Sequence, residues 1–112
     1  MNKRSVGSEK EALAWDYLET KGYHMLEKNF RCRIGEIDLI GMDGSYLCFI
    51  EVKYRKNTSM GTPWDAVTGK KQSIIRRVSE WYCMSHHLEQ VPIRFDVVGI
   101  LGDEITLLKQ AF

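Results

Sequence analysis

The sequence predicts one mixed α/β domain, with helices flanking a central sheet. Three observations predict it. The 112-residue length suits a single core. Short apolar runs bounded by turn signals alternate with two longer stretches whose apolar residues recur every three or four positions. One of those helical stretches lies between strands. That calls for a parallel crossover onto a sheet that begins as an antiparallel meander.

The elements follow in the order αβββαββ. Residues 8–21 read as a helix, with Ser8 and Glu11 at capping-box spacing, an apolar stripe of Ala14, Trp15 and Leu18, and Gly22 as a stop. Tyr23 to Arg31 reads as a first strand. Residues 35–41 and 46–54 read as a hairpin around Asp43-Gly44. Residues 55–63 form a polar loop. Residues 64–86 read as a second helix through Val67, Ile74, Ile75, Val78, Trp81 and Tyr82, weakened at Gly69. Ile93 to Leu101 and Glu104 to Leu108 read as strands around Gly102-Asp103.

Composition bounds the function. Apolar residues make up 44% and charged residues 28%, which excludes wholesale disorder. A formal charge of +1 excludes a strongly basic nucleic-acid wrapper but not a local basic patch. Cys32, Cys48 and Cys83 form no CxxC and imply no disulfide framework, so they read as small thiols in a reducing compartment. Met1 to Lys10 lacks the apolar stretch of a signal peptide, and no apolar run spans a membrane. The expectation is a cytoplasmic protein without a membrane partner.

The hairpin carries the chemistry. Pairing Met42 with Ser45 across the turn sets Asp38 opposite Phe49 and Glu36 opposite Glu51. Alternation then gives one face Glu36, Asp38, Glu51, Lys53 and Arg55. The other face receives Ile37, Leu39, Cys48, Ile50, Val52 and Tyr54, a core face. Crowded carboxylates destabilise a sheet, so something must offset them. Lys53 and Arg55 can do so as cross-strand ion pairs. A divalent cation on Asp38 and Glu51 can do so as well. Glu11 shares a helix face with Ala14, Trp15 and Leu18, so it either points at the sheet or caps its helix with Ser8.

These residues resemble a known family. Asp38 followed by Glu51-Val52-Lys53, after a helix bearing Glu11, resembles the PD-(D/E)XK nucleases, which include type II restriction endonucleases and archaeal Holliday-junction resolvases. The resemblance to the YraN-type bacterial family is closer and covers nearly the whole chain. It is carried by Glu11, Tyr17-Leu18, Gly22-Tyr23, Asn29, Arg31, the GEIDLI block at 35–40, the FIEVK block at 49–53 and Arg55. Gly61, Ala66-Val67, Lys71-Gln72 and Phe95-Asp96-Val97-Val98 extend it. Lys10 and Gly69 depart from the family pattern, and Ile37 stands where the superfamily motif has proline.

The resemblance implies a restriction-endonuclease-like fold with an αβββαβ core. It also implies hydrolysis of phosphodiester bonds with Mg²⁺ or Mn²⁺, on DNA rather than RNA. Asp38 and Glu51 would hold the metal, with the Val52 carbonyl and waters. Glu11 would act through a water or as a further ligand, and Lys53 would orient the attacking water. Analogy with resolvases, which cut two strands by pairing two sites, adds a homodimer.

Charge placement is consistent with a nucleic-acid partner. Residues 53–77 hold seven Lys/Arg against Asp65 alone, a net +6, and the remainder nets −5. Lys70, Lys71, Gln72, Arg31 and Arg55 are the candidate phosphate contacts. Trp64 reads either as a base-stacking platform or as a hydrophobic lid. His86 and His87 are adjacent on a helix and make a poor metal pair. A non-catalytic binding module of the same fold is the alternative function, and an ion-paired scaffold is a third.

Overall fold

The computed structural model describes residues 3–59 and 61–112. Met1 and Asn2 of the polar N-terminal stretch, and Met60 of the predicted loop, lie outside the described residues. Helix α1 (Lys3–Thr20) precedes strands β1 (His24–Arg31), β2 (Glu36–Asp43) and β3 (Tyr46–Arg55). A 3-10 turn (Pro63–Ala66), helix α2 (Gly69–Ser85) and strands β4 (Ile93–Leu101) and β5 (Glu104–Leu108) follow. The five strands form one sheet in the order β1-β2-β3-β4-β5. Among these five strands the β3–β4 pair alone is parallel, joined by the α2 crossover. This mixed α/β architecture is compatible with the restriction-endonuclease-like fold expected from the sequence.

The two helices cover opposite faces, and period-two alternation sorts the strands between them. Cys48 and Ile50 of β3 pack with Ala14 and Leu18 of α1. Leu47 and Phe49 pack with Ile75, Val78 and Tyr82 of α2. A sheet buried on both sides needs near-continuous apolar runs, which is what residues 47–50 and 97–101 supply.

Three expectations are corrected. First, α1 begins at Lys3, so Ser8 is an interior helical residue and cannot form a capping box with Glu11. Second, the predicted helix over 64–86 is broken. Thr68 is extended (φ −75°, ψ 166°), and its Oγ1 accepts the Lys71 N–H at 3.3 Å, so α2 starts only at Gly69. Ahead of the break, Asp65 Oδ2 accepts the Thr62 N–H at 2.8 Å and holds the 3-10 turn. The break moves Lys70 and Lys71 into the first turn of α2.

Third, the hairpin register differs by one residue on each strand. Asp43 pairs with Tyr46 and Leu39 with Ile50, so the loop is Gly44-Ser45. Gly44 takes φ 60°, as the first loop residue of a type II′ turn does. The same register carried one step further sets Asp38 opposite Glu51, not Phe49. The single core face also fails. Ile37 is buried on the α2 side and Leu39 on the α1 side, so the alternation breaks at Asp38.

Candidate active site

The break at Asp38 makes the site. The pairs that join β2 to β3 end at Leu39–Ile50. Beyond them the Val52 N–H donates to Asp38 Oδ2 at 2.8 Å, a side chain standing in for the backbone ladder. Glu51 and Lys53 share the α2-side face of β3 with Leu47 and Phe49. They lie beyond the apolar cover of α2, where its first turn brings in Lys71.

Glu51 is 1% exposed. Its Oε2 lies 3.8 Å from Lys53 Nζ and 3.9 Å from Lys71 Nζ. Those are ion-pair separations, too long for hydrogen bonds. Its Oε1 has no hydrogen-bond partner. Burial, and next the Asp38 charge, push the Glu51 carboxyl up to about 8, against the pull of Lys71, Lys53 and an Asp38 backbone hydrogen bond. Asp38 is raised too, chiefly by burial, although the Val52 N–H, Lys53 and Lys71 favour its charge. Each acid makes the other harder to ionise.

Glu11 reaches this centre from the α1 side. Its pKa is raised by partial burial and then by the Asp38 charge, while an Asn29 hydrogen bond lowers it. Asn29 sits at φ 54° inside β1, a left-handed conformation that Asn tolerates better than most residues. In the sequence Asn29 stands out only through the family resemblance. Its signal is an Asn within a strand pattern, where β-propensity disfavours it.

The remaining candidates divide. Arg31 Nε donates to Glu36 Oε2 at 2.6 Å, on an exposed rim beside Glu11 and Asp38. Arg55 Nη1 donates to the Tyr54 carbonyl at the end of β3. Lys70 is exposed beside Lys71. Gln72 turns away, its Nε2 donating to the Val67 carbonyl at 3.2 Å and bracing the helix break. Trp64 lies flat on the sheet as a lid. A Cβ on Gly99 would come within 2.6 Å of its ring, so only glycine fits there. Arg76 leaves the basic segment to cover the Phe95 and Phe112 rings.

The oxygen donors suit a hard cation. Among the described residues no three His, Cys, Asp or Glu side chains converge into a metal cage. Mg²⁺ does not require one, because it is commonly held by one or two carboxylates, water and substrate phosphate. An unpartnered carboxylate oxygen beside a second carboxylate fits that pattern.

Comparison with known proteins agrees with the motif blocks. The family described as "Uncharacterised protein family UPF0102" matches residues 10–100. The chain belongs to the UPF0102 family. This is the YraN-type family that the sequence blocks resemble. A UPF0102 protein of Lachnoclostridium phytofermentans is 46% identical over 113 residues, covering 100% of this chain and 96% of that protein. The UPF0102 protein of Thermodesulfovibrio yellowstonii is 42% identical, covering 100% and 99%. That of Chlorobium chlorochromatii is 47% identical over 95 residues, covering 85% and 73%. No helix among the described residues is long and apolar enough to cross a membrane.

Proposed function

We propose that this UPF0102 chain is a metal-dependent endonuclease that hydrolyses DNA phosphodiester bonds, resolvase-like in its choice of branched substrates and cytoplasmic. One observation carries the reading. Glu51 is a buried carboxylate with one oxygen unpartnered, set beside a second carboxylate and flanked by two lysines. A purely structural acid at this depth would cost several kcal/mol without partners for its charge.

Asp38 and Glu51 would hold Mg²⁺ or Mn²⁺, with the Val52 carbonyl as a further donor. Bound there, the ion lowers the pKa of its water and neutralises charge on the phosphate. Lys53 lies next to the same carboxylate, where it orients the attacking water and offsets charge gathering on the phosphate oxygens. Lys71 approaches the same Glu51 oxygen from the first turn of α2 and holds a non-bridging phosphate oxygen. Glu11, with its raised pKa, accepts a proton through a water. Arg31, Arg55 and Lys70 steer the phosphate backbone toward this point. Two copies related by a two-fold would bring two such sites to two strands.

The test is a cleavage screen of junction, flap, single-strand and duplex DNA with Mg²⁺ and with Mn²⁺. The wild type is expected to cut at least one of these. Asp38→Ala, Glu51→Ala and Lys53→Ala should each lose about 100-fold or more. A wild type that cuts none of them overturns the catalytic reading. If such a protein still binds DNA, with affinity that falls with salt and weakens in Lys70→Ala/Lys71→Ala, it is a binding module.

A further inference from the structure

A groove of about 210 Å³ opens between α1 and β1, lined by Glu11, Ala12, Trp15, Asp16 and Lys28. We propose that it is a subsite for one unpaired nucleobase of the substrate strand, selective for guanine. The substrate class rests on the nuclease reading above, and the groove adds which part of the strand is read.

Glu11, Ala12, Trp15 and Asp16 recur at the one- and four-residue steps that place them on one stripe of α1, facing β1. Helical side chains lean toward the N-terminus, so the Trp15 indole lies over the turn that carries Glu11 and Ala12. Alanine at position 12 leaves that turn open. The far side of the indole packs against the α1-side core, which includes Ala14 and Leu18, and this fixes the ring. A fixed aromatic ring in an open groove is a stacking platform, usable by any base. The groove shares Glu11 with the candidate active site, and the Glu11 carboxyl feels the Asp38 charge.

The lining chooses among bases. Two carboxylates against one lysine repel a phosphate, so the occupant is neutral and offers N–H donors. Guanine presents N1–H and the 2-amino group side by side, which match one carboxylate with two parallel hydrogen bonds. Its O6 accepts from Lys28, which lines the same groove from β1. Adenine and cytosine each offer a single amino donor on that edge. Thymine flanks its one N–H with carbonyls that a carboxylate repels. In a duplex this edge is already paired, so the groove selects for flaps, junction arms and single strands.

The test uses Trp15 as the reporter. Trp64→Phe/Trp81→Phe leaves it the only tryptophan, and wild type compared with Trp15→Phe gives the same signal should that double variant fold poorly. The metal-free full-length chain is titrated with the trinucleotides d(TGT) and d(TTT). Trp15 emission should respond to d(TGT) at a concentration about fivefold or more lower than to d(TTT). Asp16→Ala, an exposed position, should abolish that difference. Anisotropy of a labelled single strand is read in parallel. A labelled strand that binds or is cut while Trp15 ignores both trinucleotides, or responds to them equally, overturns the subsite and leaves the nuclease reading intact. A chain that neither binds nor cuts any nucleic acid overturns both.

Discussion

Two carboxylates in neighbouring strands of this sheet are equally buried and oppositely treated. Asp96 on β4 is 0% exposed and Glu51 on β3 is 1% exposed. Asp96 faces α1 near the hairpin end of the sheet. Its Oδ1 accepts from Arg94 Nε at 2.9 Å and the Gln110 N–H at 3.0 Å. Its Oδ2 accepts from the Tyr23 hydroxyl at 2.8 Å and Arg94 Nη2 at 2.9 Å. Arg94 also donates to Asp43, which Lys109 supports at 3.0 Å. Burial works against the Asp96 charge, but the Arg94, Gln110 and Tyr23 hydrogen bonds outweigh it and hold the group below its usual range. Glu51 faces α2 near the other end, with no partner on one oxygen and a raised pKa. The fold can satisfy a buried acid fully, and at Glu51 it does not. The first site is built to hold the chain together; the second leaves a buried carboxylate oxygen free, which is what the proposed cation would take up.

The sharpest way to break that comparison is to delete each acid. Asp96→Ala takes two of the bonds from a nearly buried Arg94 guanidinium, leaving it Asp43 and the Tyr23 hydroxyl, and should cost about 3 kcal/mol in urea unfolding. Glu51→Gln should do the reverse. Without metal at pH 8 it removes a charge with no full set of partners and should stabilise by about 1–3 kcal/mol. A Glu51→Gln loss as large as that of Asp96→Ala would make both acids structural.

The two acids should also give opposite pH slopes. Folded Glu51 keeps its proton to about pH 8, whereas the unfolded chain releases it near 4.5. Between those values the folded state binds the extra proton, so stability falls as pH rises, and Glu51→Gln should flatten that slope. Asp96 has a folded pKa below its ordinary 3.8. Its contribution is present above that value and is lost as pH falls through the lower one. Thermal melts in a chelator across pH 3–9 read both windows. Mn²⁺ at about ten times its Kd should raise stability by about 1.4 kcal/mol through binding to the folded state alone. Asp38→Asn should lose that gain while keeping its fold.

The sequence made one of these two sites legible and hid the other. Asp38, Glu51 and Lys53 are close in sequence on two paired hairpin strands, so the hairpin itself brings them near each other. The Gly44-Ser45 loop was misread as Asp43-Gly44, because both dipeptides suit two-residue hairpin turns. That slip concealed how directly Asp38 meets Glu51. The sequence reads Lys71 as a phosphate contact; nothing in its own helix pattern places it against Glu51, because that depends on where Thr68 ends the break. The Asp96 network joins residues 23, 43, 94, 96, 109 and 110, and spacing does not reveal such distant partners. Its one local signal was an Asp inside the apolar run IRFDVVGIL with Arg two positions earlier, on the same strand face.

The smallest effect tests how completely Asp96 is satisfied. Tyr23→Phe removes one donor from Asp96 Oδ2 and the acceptor that the same hydroxyl gives Arg94 Nη2 at 2.9 Å, and leaves both Arg94–Asp96 bonds and the Gln110 bond in place. The ring itself remains packed in the α1-side core. The expected loss is about 1–2 kcal/mol, the net worth of two hydrogen bonds. The acid limb of the pH profile should move to slightly higher pH, because a donor that favoured the charged form is gone. Lys71→Met, which removes one of the two cations at 3.8–3.9 Å from Glu51, should barely alter stability at pH 5, where folded Glu51 is protonated. A Lys71→Met loss at pH 5 equal to that of Tyr23→Phe would mean that lysine holds the fold as a hydrogen-bond donor does, and the distinction between the two ends of the sheet would fail.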